Sequence, residues 1–305
     1  MRFLIIGAGA VGVTLGVHLE HKKHDVLYLV RPGRKQEMER FLIVDAKSGK
    51  PHKRERPNVA EAGAELPPYE WALLCVRGDQ VEAAFATARA HLRPDARIGL
   101  AAATLTPPDE LRRLWPGGPV FSILPLFAAW SEEKGVWRWF QQPFLKTLVS
   151  GEGEPRADEA AREFAAALVD AGLPARAVPS LRRSAVPLLG PGLVLLAGWQ
   201  LAGWDLDRFG GDRALRRLTA EAMAEAARAF RAEAEGPMRL LSYAPAGALD
   251  LMIRALPRLT PGDLRQMWSH HGPKIQEQTR TLVDAMLARA GDAAPKLREL
   301  RARLA

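Results

Sequence analysis

The chain has a single cysteine, Cys75, so it can form no internal disulfide. A lone thiol in an apolar run fits a reducing compartment, and the cytoplasm is the expected location. Paired cysteines at metal-binding spacing are missing. The adjacent His270 and His271 cannot share one helix face, so no metal site is expected. Zinc-finger spacing and the aromatic signature of RNA-binding sheets are also missing. The net charge of +8 therefore reads as a basic surface with some attraction for phosphates, not as a nucleic-acid interface. No GxSxG motif occurs, which sets aside that form of serine catalysis. No internal repeat or low-complexity tract is present. The opening "MRFLIIGAGAVG" has too short an apolar run for a signal peptide. The uncharged stretch "AVPLLGPGLVLLAGWQLAGW" (185–204) is long enough to span a bilayer, but it holds two prolines and four glycines. A buried core helix is expected there, with Pro187 and Pro191 interrupting it, and no membrane partner.

What is present is a rhythm of short apolar runs and helical stretches. Strands are expected at 2–6, 25–30, 71–76, 97–102, 119–124 and 146–150. The first four are almost wholly apolar, as strands covered on both faces should be. "GVTLGVHLEHKK" and "DQVEAAFATARAHL" lie between them at helical spacing. This alternation predicts an α/β fold with a doubly wound parallel sheet. A further helix is expected over 158–172, capped by Asp158, with Phe164 and Leu168 on one face and Gly172 at its end. After about residue 178 strand signals fade. Leu215, Leu218, Ala222, Ala226 and Phe230 form a helical stripe, and 276–291 behaves similarly. An all-helical second domain follows, with a hinge near 175–180 and domains at 1–176 and 177–305.

Three glycines follow the first strand. Gly7-Ala8-Gly9-Ala10-Val11-Gly12 fits GxGxxG between a strand and a helix, with a second strand at the right distance. The first glycine permits a tight turn. The second leaves room for a pyrophosphate, and the third lets the helix press on the sheet. Free amides at the helix start then face the anion. A dinucleotide is the expected ligand. The second strand ends in "LVRPGRKQE", with Arg31 and Arg34 where an NAD-preferring site usually carries an acid. A guanidinium grips a 2′-phosphate through paired hydrogen bonds, so NADP(H) is the expected cofactor.

In "MRFLIIGAGAVGVTLGVHL", in "HDVLYLVR" ending at Arg31, and in "WALLCVRGDQV", the sequence resembles the ketopantoate reductase (2-dehydropantoate 2-reductase) family. The resemblance implies a Rossmann-type domain followed by a helical one, and hydride transfer from NADPH to a 2-keto acid. The family's Lys-x-x-Gln after the third strand corresponds to Arg77 and Gln80, which the resemblance places at the cofactor. Its lysine after the hinge, which polarises the keto oxygen and supplies a proton, is replaced by Arg182 or Arg183, and Pro187 falls near its asparagine. Its Asn-Gly after the fourth strand reads Ala103 and Thr104. Its late glutamate has Gln276 and Glu277 near the slot.

An arginine can stabilise a developing alkoxide but is a poor proton donor near neutrality. His270, His271, Lys274 and Glu277 gather before and within a helix start; His271 is the candidate general acid, because histidine titrates in the right range, with two loop histidines that cap or solvate the helix as the alternative. Arg77 and Arg183 would suit the carboxylate of a small anionic substrate in an interdomain cleft. Trp199, Trp204 and Trp268 are read as core, with an apolar substrate wall as the alternative. A second reading is a non-catalytic NADP(H)-binding sensor or interaction protein that kept the cradle and lost the lysine. A third is a helical homodimer with 185–204 as its interface.

Overall fold

The computed structural model of the chain describes all residues except 39, 46–48, 50, 56, 102–108, 134, 142–144, 233–239, 241, 261–264, 266, 267, 269–271 and 305. For some others, Asp79, Pro187 and Glu277 among them, only the backbone is described. The chain divides into two compact units, Met1–Arg182 and Arg183–Ala305.

The first unit opens with β1 (Arg2–Ile6), α1 (Ala10–His21) and β2 (Asp25–Val30). Then come β3 (Arg40–Asp45), β4 (Pro51–Glu55), β5 (Val59–Glu61), β6 (Tyr69–Leu74), α2 (Val81–Arg89) and β7 (Leu92–Leu100). It closes with α3 (Asp109–Leu114), β8 (Val120–Leu124), β9 (Phe127–Glu133), β10 (Val136–Gln141), β11 (Thr147–Ser150), α4 (Pro155–Asp170) and β12 (Ala175–Ala177).

Eight strands form one sheet in the order β12-β11-β8-β7-β6-β1-β2-β5. Every pair is parallel except β11 against β8. The chain builds outward from β1 through β2 to β5, then restarts at β6 on the other side of β1. That reversal opens a crevice beyond the carboxyl ends of β1 and β6, where ligands of such sheets bind. Alternation along β1 sends Phe3 and Ile5 to one face and Leu4 and Ile6 to the other. The first pair joins Trp71, Phe121 and Phe164 beneath α1 and α4. The second joins Leu27, Leu74, Phe85 and Trp115 beneath α2 and α3. Both faces are covered, which is why these strands read as continuous apolar runs.

Several details differ from the sequence reading. A second sheet, β4-β3-β10-β9, was not expected. It packs on α1 through β9 and β10, with the His18 ring edge-on to Trp139 at 4.5 Å between centroids. The α4 cap is Glu154, not Asp158: Glu154 accepts from the amides of Arg156 (3.1 Å) and Ala157 (2.5 Å). Asp158 instead accepts from the Gly151 amide at 3.0 Å. Residues 175–177 form the edge strand β12, paired with β11, where a hinge was expected.

The second unit holds most of α5 (Leu181–Leu201), then α6 (Leu206–Gly211), α7 (Arg213–Ala229), α8 (Ala246–Leu259), α9 (Gln276–Ala290) and α10 (Pro295–Arg303). Among its described residues there is no strand. α5 runs unbroken past Pro187 and Pro191, contrary to the expected interruption. Burial of Val194, Ala197 and Trp199 offsets the helix bonds that the prolines remove. Among the described residues no helix is long and apolar enough to cross a membrane. The predicted stripe of α7 is buried, and α7 packs on α8 and α10. Trp199, Trp204 and Trp268 form one aromatic cluster, with the last two rings stacked at 6.2 Å.

Candidate functional site

The turn out of β1 is built by two close approaches. Gly7 has φ +98°, in the left-handed region, and a Cβ there would run into the Cys75 carbonyl oxygen and lie 2.9 Å from Val76. The Cys75 amide donates to the Ile6 carbonyl at 2.8 Å, which fixes the chain leaving β6 against this turn. Gly12 lies under the same turn: its Cβ would collide with the Gly7 carbonyl oxygen and sit 3.2 Å from Ile5. One turn later, a Cβ on Gly16 would meet the Tyr28 hydroxyl. These contacts draw α1 tightly onto the sheet.

Gly9 behaves differently. It is the residue before α1, in extended conformation, and a Cβ there would meet nothing within 4 Å. It faces open space, not packing. The Val13 amide donates to the Gly9 carbonyl at 2.9 Å, so the amides of Ala10, Val11 and Gly12 precede the first helical hydrogen bond. No side chain caps this end, and no acid lies in the first turn. The helix dipole is left unanswered, as an anion site requires.

Gly7, Ala8 and Gly9 line a cavity of about 540 Å³ at the switch point of the sheet. Arg31 and Arg34 line it from the end of β2, and Arg77 and Gln80 from the end of β6. Apolar walls come from Leu29, Met38, Ala62 and Ala84, with Thr87 on α2. Three arginines and no carboxylate contribute among the described residues. Arg31 and Arg34 flank a tight turn: the Arg34 amide donates to the Arg31 carbonyl at 3.1 Å, and Gly33 takes φ +79°. The Arg34 Nε also meets a Glu37 oxygen at 2.6 Å. Cys75 lies on the wall, where burial pushes its thiol up to about 12. It stays protonated near neutrality and supplies no nucleophile.

Of the residues expected to hold the cofactor, Gly7, Ala8, Gly9, Arg31, Arg34, Arg77 and Gln80 line this one cavity. Ala10, Val11 and Gly12 do not line it; they form the helix start behind it. Arg183 is exposed on α5 in the second unit. Glu277 belongs to α9 with only its backbone described, and His271 lies outside the described residues, as do Ala103 and Thr104. The sequence reading missed the apolar walls from β2 and α2. Alternation in "DVLYLV" was the available signal, since Leu29 and Val30 must face opposite sides.

Residues 3–148 match the family model described as ketopantoate reductase PanE/ApbA. No curated protein matches the sequence. Solved structures share the fold over the whole chain. The 2-dehydropantoate 2-reductase of Geobacter metallireducens GS-15 is 18% identical, with TM-score 0.72, covering 100% of this chain and 99% of that one. The PanE/ApbA family ketopantoate reductase of Ralstonia eutropha JMP134 is 19% identical, with TM-score 0.69, covering 100% and 97%. D-mandelate dehydrogenase, solved with NADH and anilino(oxo)acetate, is 14% identical, with TM-score 0.70 and the same coverage. Residues 3–148 are thus similar to the ketopantoate reductase PanE/ApbA family model, and along its whole length the chain carries the fold of these solved reductases, a Rossmann-type domain followed by a helical one.

Proposed function

We propose that the chain is an NADP(H)-dependent oxidoreductase that reduces a small 2-keto acid-like carbonyl. One observation carries the cofactor choice: the cavity at the switch point has three arginines and no carboxylate among its described lining. A carboxylate there would repel a 2′-phosphate, whereas Arg31 and Arg34 attract it. The residues fit the 2′-phosphate, the pyrophosphate and one base of a dinucleotide. Gly9 leaves the space a pyrophosphate fills, the amides of Ala10–Gly12 face it, and Leu29, Ala62 and Ala84 offer an apolar surface for a base. The family match supports nicotinamide chemistry of this kind.

When bound, NADPH supplies a hydride. The protein must then stabilise the oxygen that becomes negative and give it a proton. Arg183 is assigned the first task, because a guanidinium brings a positive charge and several N–H donors to a developing alkoxide. His271 is assigned the second, since histidine is the natural general acid near neutrality, and Glu277 is assigned to the slot of the family's substrate-holding glutamate. An anionic substrate, a cytoplasmic setting and assembly as a homodimer belong to the same reading.

The test is a steady-state screen of NADPH oxidation against a panel of 2-keto acids, with Arg183→Ala and His271→Ala beside the wild type. Turnover with at least one acid is expected, with kcat falling about 100-fold or more in each variant. Tight NADPH binding without turnover across the panel would refute the reductase assignment.

A further inference from the structure

We propose that Glu61 is a positioning residue for 2′-phosphate recognition: its carboxylate fixes the turn that presents Arg31 and Arg34 to the cavity. The proposal rests on the NADP(H) reading above.

Glu61 is the last residue of β5, and β5 pairs in parallel with β2 so that Val30 lies opposite Glu61. The Ala62 amide continues the ladder by donating to the Val30 carbonyl at 2.9 Å. The side chain therefore stands beside the point where β2 ends and the arginines begin. There one oxygen, Oε1, accepts from two amides of the next turn, Gly33 at 2.9 Å and Lys35 at 3.2 Å.

The turn explains why those amides need a partner. Pro32 takes its second position and Gly33, with φ +79°, its third, the pattern of a type II turn. Its own hydrogen bond uses the Arg34 amide and the Arg31 carbonyl. The Gly33 and Lys35 amides on either side are left over, and Glu61 takes both. The Lys35 carbonyl in turn accepts from the Met38 amide at 2.9 Å, which leads into the 3-10 turn Gln36–Met38 at the cavity wall. The arginine turn is thus held from β5 as well as from β2.

This is a different use of an acid from the one that selects NAD. There the carboxylate accepts the ribose hydroxyls. Here Oε1 already carries two amide hydrogen bonds, and a neighbouring acid, Glu37, meets Arg34. Glu61 shapes the cationic turn instead of reading the sugar.

The experiment titrates the full chain with 2′,5′-ADP and 5′-AMP, in wild type, Glu61→Met and Glu61→Gln. Methionine keeps the side-chain stem and removes both acceptors; glutamine keeps a carbonyl oxygen for the two amides. Wild type is expected to prefer 2′,5′-ADP. In Glu61→Met that preference should fall at least about fivefold, with 5′-AMP changing less than about twofold. Amide exchange at Gly33 and Lys35 should accelerate. Glu61→Gln should keep most of the preference and most of the protection. If Glu61→Met does not fold, Glu61→Ala and Glu61→Gln are compared in the same way. A wild type without preference overturns the NADP(H) reading and this proposal together. A wild-type preference that survives the loss of both acceptors overturns the role of Glu61 alone. So does a larger loss for 5′-AMP than for 2′,5′-ADP, the result expected of an acid that binds ribose hydroxyls.

Discussion

Gly12 sits so close beneath Gly7 that a Cβ on Gly12 would collide with the Gly7 carbonyl oxygen, whereas a Cβ on Gly9, between them, would meet nothing within 4 Å. The same motif thus contains glycines with two different jobs. Two are required by packing. The middle one is bare toward a cavity that its own protein does not fill.

Substitution separates these jobs. Gly12→Ala should destabilise the fold by about 2 kcal/mol, because α1 must shift off the sheet. Gly9→Ala should change stability by less than about 0.5 kcal/mol, since its φ of −83° suits any residue. It should nevertheless weaken NADPH binding about tenfold or more, by placing a methyl where the proposed site would hold the pyrophosphate. Urea denaturation with nucleotide titration on both variants checks the pair. A Gly9→Ala protein with intact affinity would refute the pyrophosphate assignment.

Arg31→Asp should weaken NADPH by about tenfold or more while NADH changes little, because only the first carries the 2′-phosphate that the proposed site assigns to Arg31. Equal losses for the two would remove Arg31 from phosphate recognition. Fluorescence titration reads the result directly.

The Cys75 thiol is pushed up to about 12 by burial at the cavity wall. A raised thiol is neutral below that pH, so at pH 8 few molecules carry a thiolate. Alkylation by iodoacetamide should be slow at pH 8 and rise about tenfold per pH unit while the fold persists. Rapid labelling at pH 8 would contradict the burial.

In the second unit, Glu225 is buried on α7 and accepts from the amides of Lys296 (2.7 Å) and Leu297 (2.9 Å) at the start of α10. Ala294, the residue before that helix, makes no cap of its own. Glu225→Ala should cost about 1–3 kcal/mol, with the two amides left without a partner. A thermal melt within about a degree of wild type would rule out this capping role.

The large sheet was legible because its strands are buried on both faces: "RFLII" and "DVLYLV" stand at the limits of β1 and β2. The second sheet was not legible. β4 reads "PHKRE", with no apolar period, and β10 reaches β3 across more than eighty residues of intervening chain. Local signals also misplaced the α4 cap, since Glu154 and Asp158 are both plausible acceptors and only the path of the Gly151 loop decides between them. Pro187 and Pro191 suggested a break that tertiary burial of α5 overrides. The placement of Gly7, Gly9 and Arg31 at one cavity could be read because each obeys a local rule. Glu61 could not, because its role depends on which strand pairs beside β2.

The central claim is that the crevice beside Gly9 and Arg31 takes a dinucleotide bearing a 2′-phosphate. Parallel titrations of the wild-type chain with NADPH and NADH test it most directly. Saturable binding of NADPH, about tenfold or more tighter than NADH, is the predicted result. Equal affinities, tighter NADH, or no saturable binding of either would contradict it.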